Sequence, residues 1–353
     1  MPLTPDLERA RAIVCKYGWN ATAYQILNPG IRLWFWPEGD AVVGYMRSWR
    51  MWVAAGAPIC APGDLEAACA AFEDEASTHG ARVCYFGADA RLRSSHPGVS
   101  EILLGAQPVW DPNQWPSIIE RKASLRAQRN RALNKGARVE WWSADRAEAS
   151  PALRRCLDEW LQTRGLPAMH FLIEPQILSR LLDRRVFVAE RNDHAVAFLI
   201  ASPIPVRNGW LVEQIVRGHG APNGTATLLI DTAMRALAAD GATYVTLGLS
   251  PLSRRAATAT ENPLWLRGLL GWVRAHGRRF YNFEGLERFK AKFGPDRWDP
   301  ITALTNEPMP ALLTLRAIAD VFSGEGVSPV GFVGRALVDA LGQELKTLGG
   351  LRD

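Results

Sequence analysis

No stretch of this chain approaches the roughly 18 consecutive apolar residues that a membrane-spanning helix needs. Its most apolar segment, Ala195–Val206, contains Ser202, Pro203 and Pro205 and reads as strand and loop. An export signal is also missing. The N-terminus, MPLTPDLERARAIV, sets two acids and two arginines where a secretory leader would have a bare apolar core, so a cytoplasmic protein is expected. Cysteines are few: Cys15, Cys60, Cys69, Cys84 and Cys156 are odd in number, far apart and free of any CxxC pair. Neither a disulfide framework nor a thiolate zinc site fits that spacing. The histidines His79, His96, His170, His194, His219 and His276 show no HxH or HxxxH spacing, so no protein-bound metal is expected. Acid is lacking locally rather than overall. The net charge is only +5, yet between Arg121 and Arg138 the chain places Arg121, Lys122, Arg126, Arg129, Arg131, Lys135 and Arg138 against no acid at all.

The remaining composition is that of an ordinary globular protein. With 353 residues, 48% of them hydrophobic and 22% charged, the chain can bury the cores of two domains. The periodicity predicts one pattern twice. In the first half a helix near Pro5–Tyr17 precedes strands at 31–36, 41–47 and 51–55, a Gly56-Ala57-Pro58 loop, a helix at 63–79 and a strand at 81–86. In the second half helices near 152–164 and 174–182 precede strands at 185–190, 195–201 and 209–217. A Gly/Pro loop at 218–224, a helix at 225–240 and a strand at 242–249 follow. That order is the order of an acetyltransferase-like (GNAT) module. The expected fold is therefore α/β, two tandem GNAT modules joined by the basic segment as one helix. The expected boundaries are 1–118, a linker helix 119–138, a second module 139–305 carrying the catalytic site, and a helical tail 306–353.

Three segments resemble the catalytic domain of the phosphatidylglycerol lysyl- and alanyltransferases, the family of the multiple peptide resistance factor. They are APNGTATLLIDTAMRALAADGATYVTLGLSPLS (Ala221–Ser253), YNFEGLERFKAKFGPDRW (Tyr281–Trp298) and the linker SLRAQRNRALNKG (Ser124–Gly136). The resemblance implies transfer of an aminoacyl group from charged tRNA to the hydroxyl of a membrane lipid such as phosphatidylglycerol. It implies no cofactor beyond aminoacyl-tRNA as donor, and a chain peripheral at the inner membrane face. Two departures stand out: the many-spanning membrane domain of the lysyltransferases is missing from this sequence, and Gln214 stands where their third strand carries an acid, with Glu213 beside it.

Such a transfer exchanges one ester for another, so the site must take a proton from the acceptor hydroxyl, stabilise an oxyanion and hold two phosphate-bearing substrates. Glu213 and Arg217, at i and i+4 on one strand, are expected to face the same side, either with Glu213 as base or amine binder and Arg217 as phosphate or oxyanion partner, or as a structural ion pair at the strand end. Lys290 is the third catalytic candidate. Asn223, Gly224, Ser250, Asn282, Arg288, Lys292 and Trp298 are the expected substrate-binding residues; around Lys290 cations alternate with Phe283, Phe289 and Phe293, whether the segment is extended or helical, unless the segment is aromatic core with snorkelling cations. Lys122, Arg126 and Arg129 lie at i, i+4 and i+7 and would present a row of charge to tRNA phosphates, or serve as a solvated linker face. Trp265, Leu266, Leu269, Leu270 and Trp272, with Arg267, Arg274, Arg278 and Arg279, form an apolar and basic stripe; Trp265, Leu269 and Trp272 would touch an anionic bilayer, or the stripe packs as core. Two other functions fit these residues: an acyl-CoA-dependent N-acyltransferase, opposed by Pro222, which has no N–H to offer in the acyl loop, and a non-catalytic module binding acidic lipid or RNA.

Overall fold

The computed structural model describes residues 4–96, 99–163, 171–172, 175–256, 262–276, 282–307 and 312–323. The N-terminal half runs α1 (Pro5–Tyr17), β1 (Arg32–Phe35), β2 (Val42–Ser48), β3 (Met51–Ala55), α2 (Leu65–Thr78), β4 (Arg82–Ala88), α3 (Ala90–Ser95) and β5 (Ser100–Trp110). Helices α4 (Trp115–Arg121) and α5 (Ala123–Asn134) lead to β6 (Arg138–Trp142), α6 (Ala144–Ala149) and α7 (Pro151–Gln162). The second half continues with β7 (Arg185–Arg191), β8 (His194–Ile204), β9 (Gly209–Arg217), α8 (Thr225–Ala239), β10 (Tyr244–Thr246) and β11 (Ser250–Pro251). It closes with α9 (Leu264–His276), α10 (Phe283–Ala291), β12 (Arg297–Thr305) and α11 (Leu312–Ser323).

The repeat seen in the sequence is real. In each half two antiparallel strand pairs lead into a parallel pair, β3 with β4 across helix α2 and β9 with β10 across helix α8, which is the GNAT arrangement. Apolar alternation along the strands explains the layers. On β4, Val83 and Tyr85 pack with Phe72 of α2, while Cys84 and Phe86 pack on the other face with Ile13 and Val14 of α1. In the second half Leu199 and Val212 meet Leu229 and Ile230 of α8, and Phe198, Ile200 and Val216 meet Leu153 and Leu157 of α7.

The two modules are not separate bodies. A single sheet runs β1-β2-β3-β4-β12-β5-β10-β9-β8-β7-β6, with β11 attached to β5. Strand β5, absent from the sequence reading, pairs antiparallel with β10 and joins the halves. Strand β12 lies between β4 and β5, so residues 297–305 return to the N-terminal half of the sheet although the sequence places them at the end of the second module. Helix α11 covers the same half through Ala317 and Val321. The helix expected at 174–182 is reduced, among the described residues, to a 3-10 turn at Ile177–Ser179. The expected linker helix is two helices. Lys122, at φ −104° and ψ 89°, lies outside helical space and breaks the run between α4 and α5.

Candidate active site

Strand β9 ends at Arg217, and the loop that follows delivers the chain to the N-terminus of α8. Gly224 precedes that helix at φ +100°, and a Cβ there would lie 2.0 Å from the Gln128 carbonyl oxygen. The glycine thus lets α5 lie directly on the loop. The Gln128 side chain continues the contact: its Oε1 accepts from Thr227 Oγ1 at 2.8 Å and from Lys292 Nζ at 3.2 Å. The Lys292 amine sits 4.5 Å from the Phe289 ring centre and 4.7 Å from that of Phe293. Burial, and then the charge of Arg217, push its pKa down. Arg217 is exposed. Among the described residues neither cation forms a salt bridge, so the mouth of α8 presents two neighbouring positive charges without a counter-ion, a setting for an anionic ligand. Asn223 lies exposed on the same loop.

Lys290 is buried, and its Nζ donates to the carbonyls of Gly248 and Leu249, both at 2.9 Å. These carbonyls are free because the chain turns at Gly248, φ +70°, between β10 and β11. Burial pushes the Lys290 pKa down from 10.5 to about 7. One residue on, the Ser250 hydroxyl is buried with no partner among the described residues. A buried amine with a lowered pKa and an unsatisfied hydroxyl thus border one backbone turn. The other expected ligands on this segment have local roles. Asn282 caps α10 by accepting from the Gly285 N–H at 2.8 Å, and Arg288 points to solvent beside Glu284 at 3.0 Å. Trp298 is half-buried at the start of β12, with the Arg255 guanidinium 5.5 Å from its ring.

Glu213 requires a correction. Ile200 pairs with Gln214 and Ala201 with Val212, which leaves Glu213 as an extra residue in a β-bulge. The bulge breaks the alternation, so Val212 and Ile215 both face α8 while Val216 faces α7. Glu213 and Arg217 therefore do not share a face. The Glu213 carboxylate accepts from Arg184 Nε at 3.0 Å, from the Ser202 hydroxyl, and from Gln25 Nε2 at 3.1 Å. Arg184 in turn donates to Asn28 Oδ1 at 2.7 Å. Both ionic side chains are sealed, at 1% and 2% exposure. Glu213 belongs to a buried polar strut between the halves, built with Gln25, Asn28, Arg184 and Ser202, none of which the sequence reading assigned to a site. The one signal available was Ser202 itself, a polar residue within an apolar strand.

The basic segment and the apolar stripe are each divided by packing. The Arg126 guanidinium donates to the carbonyls of Ile119, at 3.0 Å, and Glu120, which α4 leaves open at its end. Arg129 lies 3.5 Å from Asp231, and Lys122 packs against Gly294. The row expected at Lys122, Arg126 and Arg129 is thus engaged with the protein, while Arg131 and Lys135 stay exposed on α5. On α9, Leu266 is buried and Leu270 packs on the core, whereas Leu264, Trp265 and Leu269 are exposed by 80%, 43% and 37%. The Trp272 side chain, and Arg278 and Arg279, lie outside the described residues. Among the described residues no helix is long and apolar enough to cross a membrane, and no cluster of three metal-ligating side chains occurs.

Known proteins share this fold. Residues 11–302 match the family described as "Phosphatidylglycerol lysyltransferase, C-terminal". The phosphatidylglycerol lysyltransferase of Bacillus subtilis (strain 168) is 24% identical over 300 residues, which are 82% of this chain and 34% of that protein. The chain therefore spans about a third of the length of that relative. Among solved structures, a C-terminal domain from Agrobacterium fabrum superposes with a TM-score of 0.75 at 23% identity, covering 90% of this chain and 97% of the other. The structure of L-PGS from Bacillus licheniformis gives 0.70 at 19%, covering 96% and 98%. The fold is shared with both. With a matched segment that contains β9, the α8 loop and Lys290 and Lys292, the chain belongs to the phosphatidylglycerol lysyltransferase C-terminal domain family.

Proposed function

We propose that the chain is an aminoacyltransferase that moves an aminoacyl group from charged tRNA to the hydroxyl of a membrane lipid such as phosphatidylglycerol, working at the inner face of the membrane without a cofactor. The observation that carries this reading is the uncompensated pair Arg217 and Lys292 at the mouth of α8, in a chain of this family. Both substrates bring phosphates, and a cation pair of which Lys292 lies against Phe289 and Phe293 suits one of them or the developing oxyanion. With Glu213 withdrawn into an ion pair, Lys290 is the remaining candidate base. Its amine is neutral above a pKa of about 7 and keeps a lone pair while donating to two carbonyls. In this scheme the acceptor hydroxyl gives its proton to Lys290 and attacks the ester carbonyl; the bond to the tRNA ribose breaks, and the ribose oxygen takes the proton.

The acyl-CoA reading is disfavoured, because α5 occupies the N-terminus of α8 through Gln128 and Gly224 where a pyrophosphate would have to sit. Exposed Arg131 and Lys135 are the proposed tRNA contacts on α5, and Leu264, Trp265 and Leu269 the proposed bilayer contacts on α9. The test is incubation with labelled aminoacyl-tRNA and phosphatidylglycerol vesicles. Label in the extracted lipid is expected. Label transferred only from acyl-CoA, or tight binding of both substrates with no transfer, would overturn the assignment.

A further inference from the structure

A second exposed apolar group lies on the N-terminal half, away from the mouth of α8. Ser48 pairs with Met51, so β2 and β3 are joined by the two-residue turn Trp49-Arg50. Such turns favour asparagine or glycine, because the chain must adopt a left-handed conformation there. Trp49 takes it at φ +45° and leaves 75% of its surface in water. A bulky residue in strained backbone that buries almost nothing contributes little to folding, which points to a contact outside the chain. Beside it an open groove of ≈ 410 Å³ is lined by Trp49, Arg50, Arg82, Leu313 and Arg316, with Glu307 and Asp320. The charges in this groove are sorted by depth. The side chains of Arg82 and Arg316 are 54% and 61% exposed and Arg50 is exposed, while Glu307 and Asp320 are 5% and 25% exposed. Both acids are also engaged, Glu307 with Arg82 and the Thr314 hydroxyl, Asp320 with the Ser48 hydroxyl at 2.7 Å and, at 3.9 Å, with Arg316. Solvent therefore meets an indole, the half-exposed Leu313 and three guanidinium groups, Arg50 without an ion pair among the described residues and Arg82 and Arg316 each paired on its inner side with a deeper acid but still more than half exposed.

Resting on the reading that the acceptor is a membrane lipid, we propose that the Trp49 turn and the Arg50/Arg82/Arg316 groove form a second anchor for an anionic phospholipid bilayer. Tryptophan and arginine together suit the headgroup layer, where the ring is half-immersed and the cations meet lipid phosphates. Helix α9, whose Leu266 packs in the same core as Ala317 and Val321 of α11, supplies the other anchor, so both belong to the N-terminal half of the sheet. Two contacts, unlike one, fix the orientation of the chain on the surface.

The experiment is co-sedimentation of the full chain with vesicles of phosphatidylglycerol and phosphatidylcholine, or of phosphatidylcholine alone. Trp49→Asn should weaken binding to the anionic vesicles about tenfold. The Arg50→Gln/Arg316→Gln double variant should weaken it about fivefold per arginine. Thermal melting should be undiminished in Trp49→Asn, since asparagine accepts the turn conformation. Transfer to a monomeric short-chain phosphatidylglycerol should be unchanged in both. Wild-type affinity for anionic vesicles in both folded variants would overturn the anchor while leaving the proposed activity standing. Vesicle binding by wild type without any transfer would do the reverse. Dispersal of a dimer by Trp49→Asn with vesicle binding intact would assign the turn to a second copy of the chain and also overturn the anchor.

Discussion

Lys290 makes a thermodynamic prediction that does not depend on the proposed activity. The unfolded chain holds this proton up to the ordinary lysine value of 10.5, whereas burial lets the folded chain release it at about 7. Across that window unfolding takes up a proton, so stability rises with pH; below about 7 both states are protonated and the cost of the buried charge is fully present. Each pH unit within the window is worth about 1.4 kcal/mol, and the whole shift, taken literally, roughly 5 kcal/mol. Relaxation around the amine will reduce this to a few kcal/mol. The assay is urea unfolding of wild type and Lys290→Met at pH 6, 7, 8 and 9. Other titrating groups cancel in the difference between the two proteins. Wild type should gain on the variant by about 1 kcal/mol per unit from pH 7 to 9 and by little between 6 and 7. The methionine variant leaves the Gly248 and Leu249 carbonyls without their donor, which offsets the curves by roughly 1–3 kcal/mol but does not tilt them. A difference that stays flat from pH 6 to 9 would show that Lys290 titrates as an ordinary lysine and would remove the base assigned to it. In the same frame, transfer should show an ascending limb near pH 7, and Lys290→Arg, charged at every accessible pH, should lose activity while folding.

Glu213→Gln and Arg217→Ala should separate structure from chemistry. The first leaves Arg184 buried without its counter-charge and should cost roughly 3–5 kcal/mol in denaturant unfolding. The second should leave stability within about 0.5 kcal/mol while lowering transfer at least tenfold. The opposite pattern would return Glu213 to the reaction. Gly224→Ala sets a Cβ 2.0 Å from the Gln128 carbonyl oxygen at φ +100°, and should cost roughly 2–4 kcal/mol by prying α5 from α8; an unaltered melting curve would refute the close contact. On α5, Arg131→Ala/Lys135→Ala should flatten the salt dependence of tRNA binding by about one counter-ion per residue, whereas Arg126→Ala should act on stability through the end of α4. A salt slope moved only by Arg126→Ala would reverse that division.

The local pattern determined the repeat. Apolar alternation, turn residues and the Gly/Pro loops mark β1 to β4 and β7 to β10 with their helices, because each element must bury one face at its own period. The segment around Lys290 stood out for a different reason, lysines set among phenylalanines, yet it took the structure to show Phe293 and Lys290 buried together. The placement of β12 between β4 and β5, and the use of β5 to fuse two sheets, depended on pairing between residues more than 100 positions apart, on which local propensity is silent. One inserted residue at Glu213 then undid the i, i+4 argument, because a bulge reverses the faces of everything beyond it. Lys122 ended a helix that composition would have continued, and the engagement of Arg126 and Arg129 followed from carbonyls and a carboxylate brought to them by α4 and α8. Sequence set which residues carry charge; tertiary packing decided which of those charges still face a substrate, since an ion pair or a carbonyl cap consumes a cation that composition counts as free.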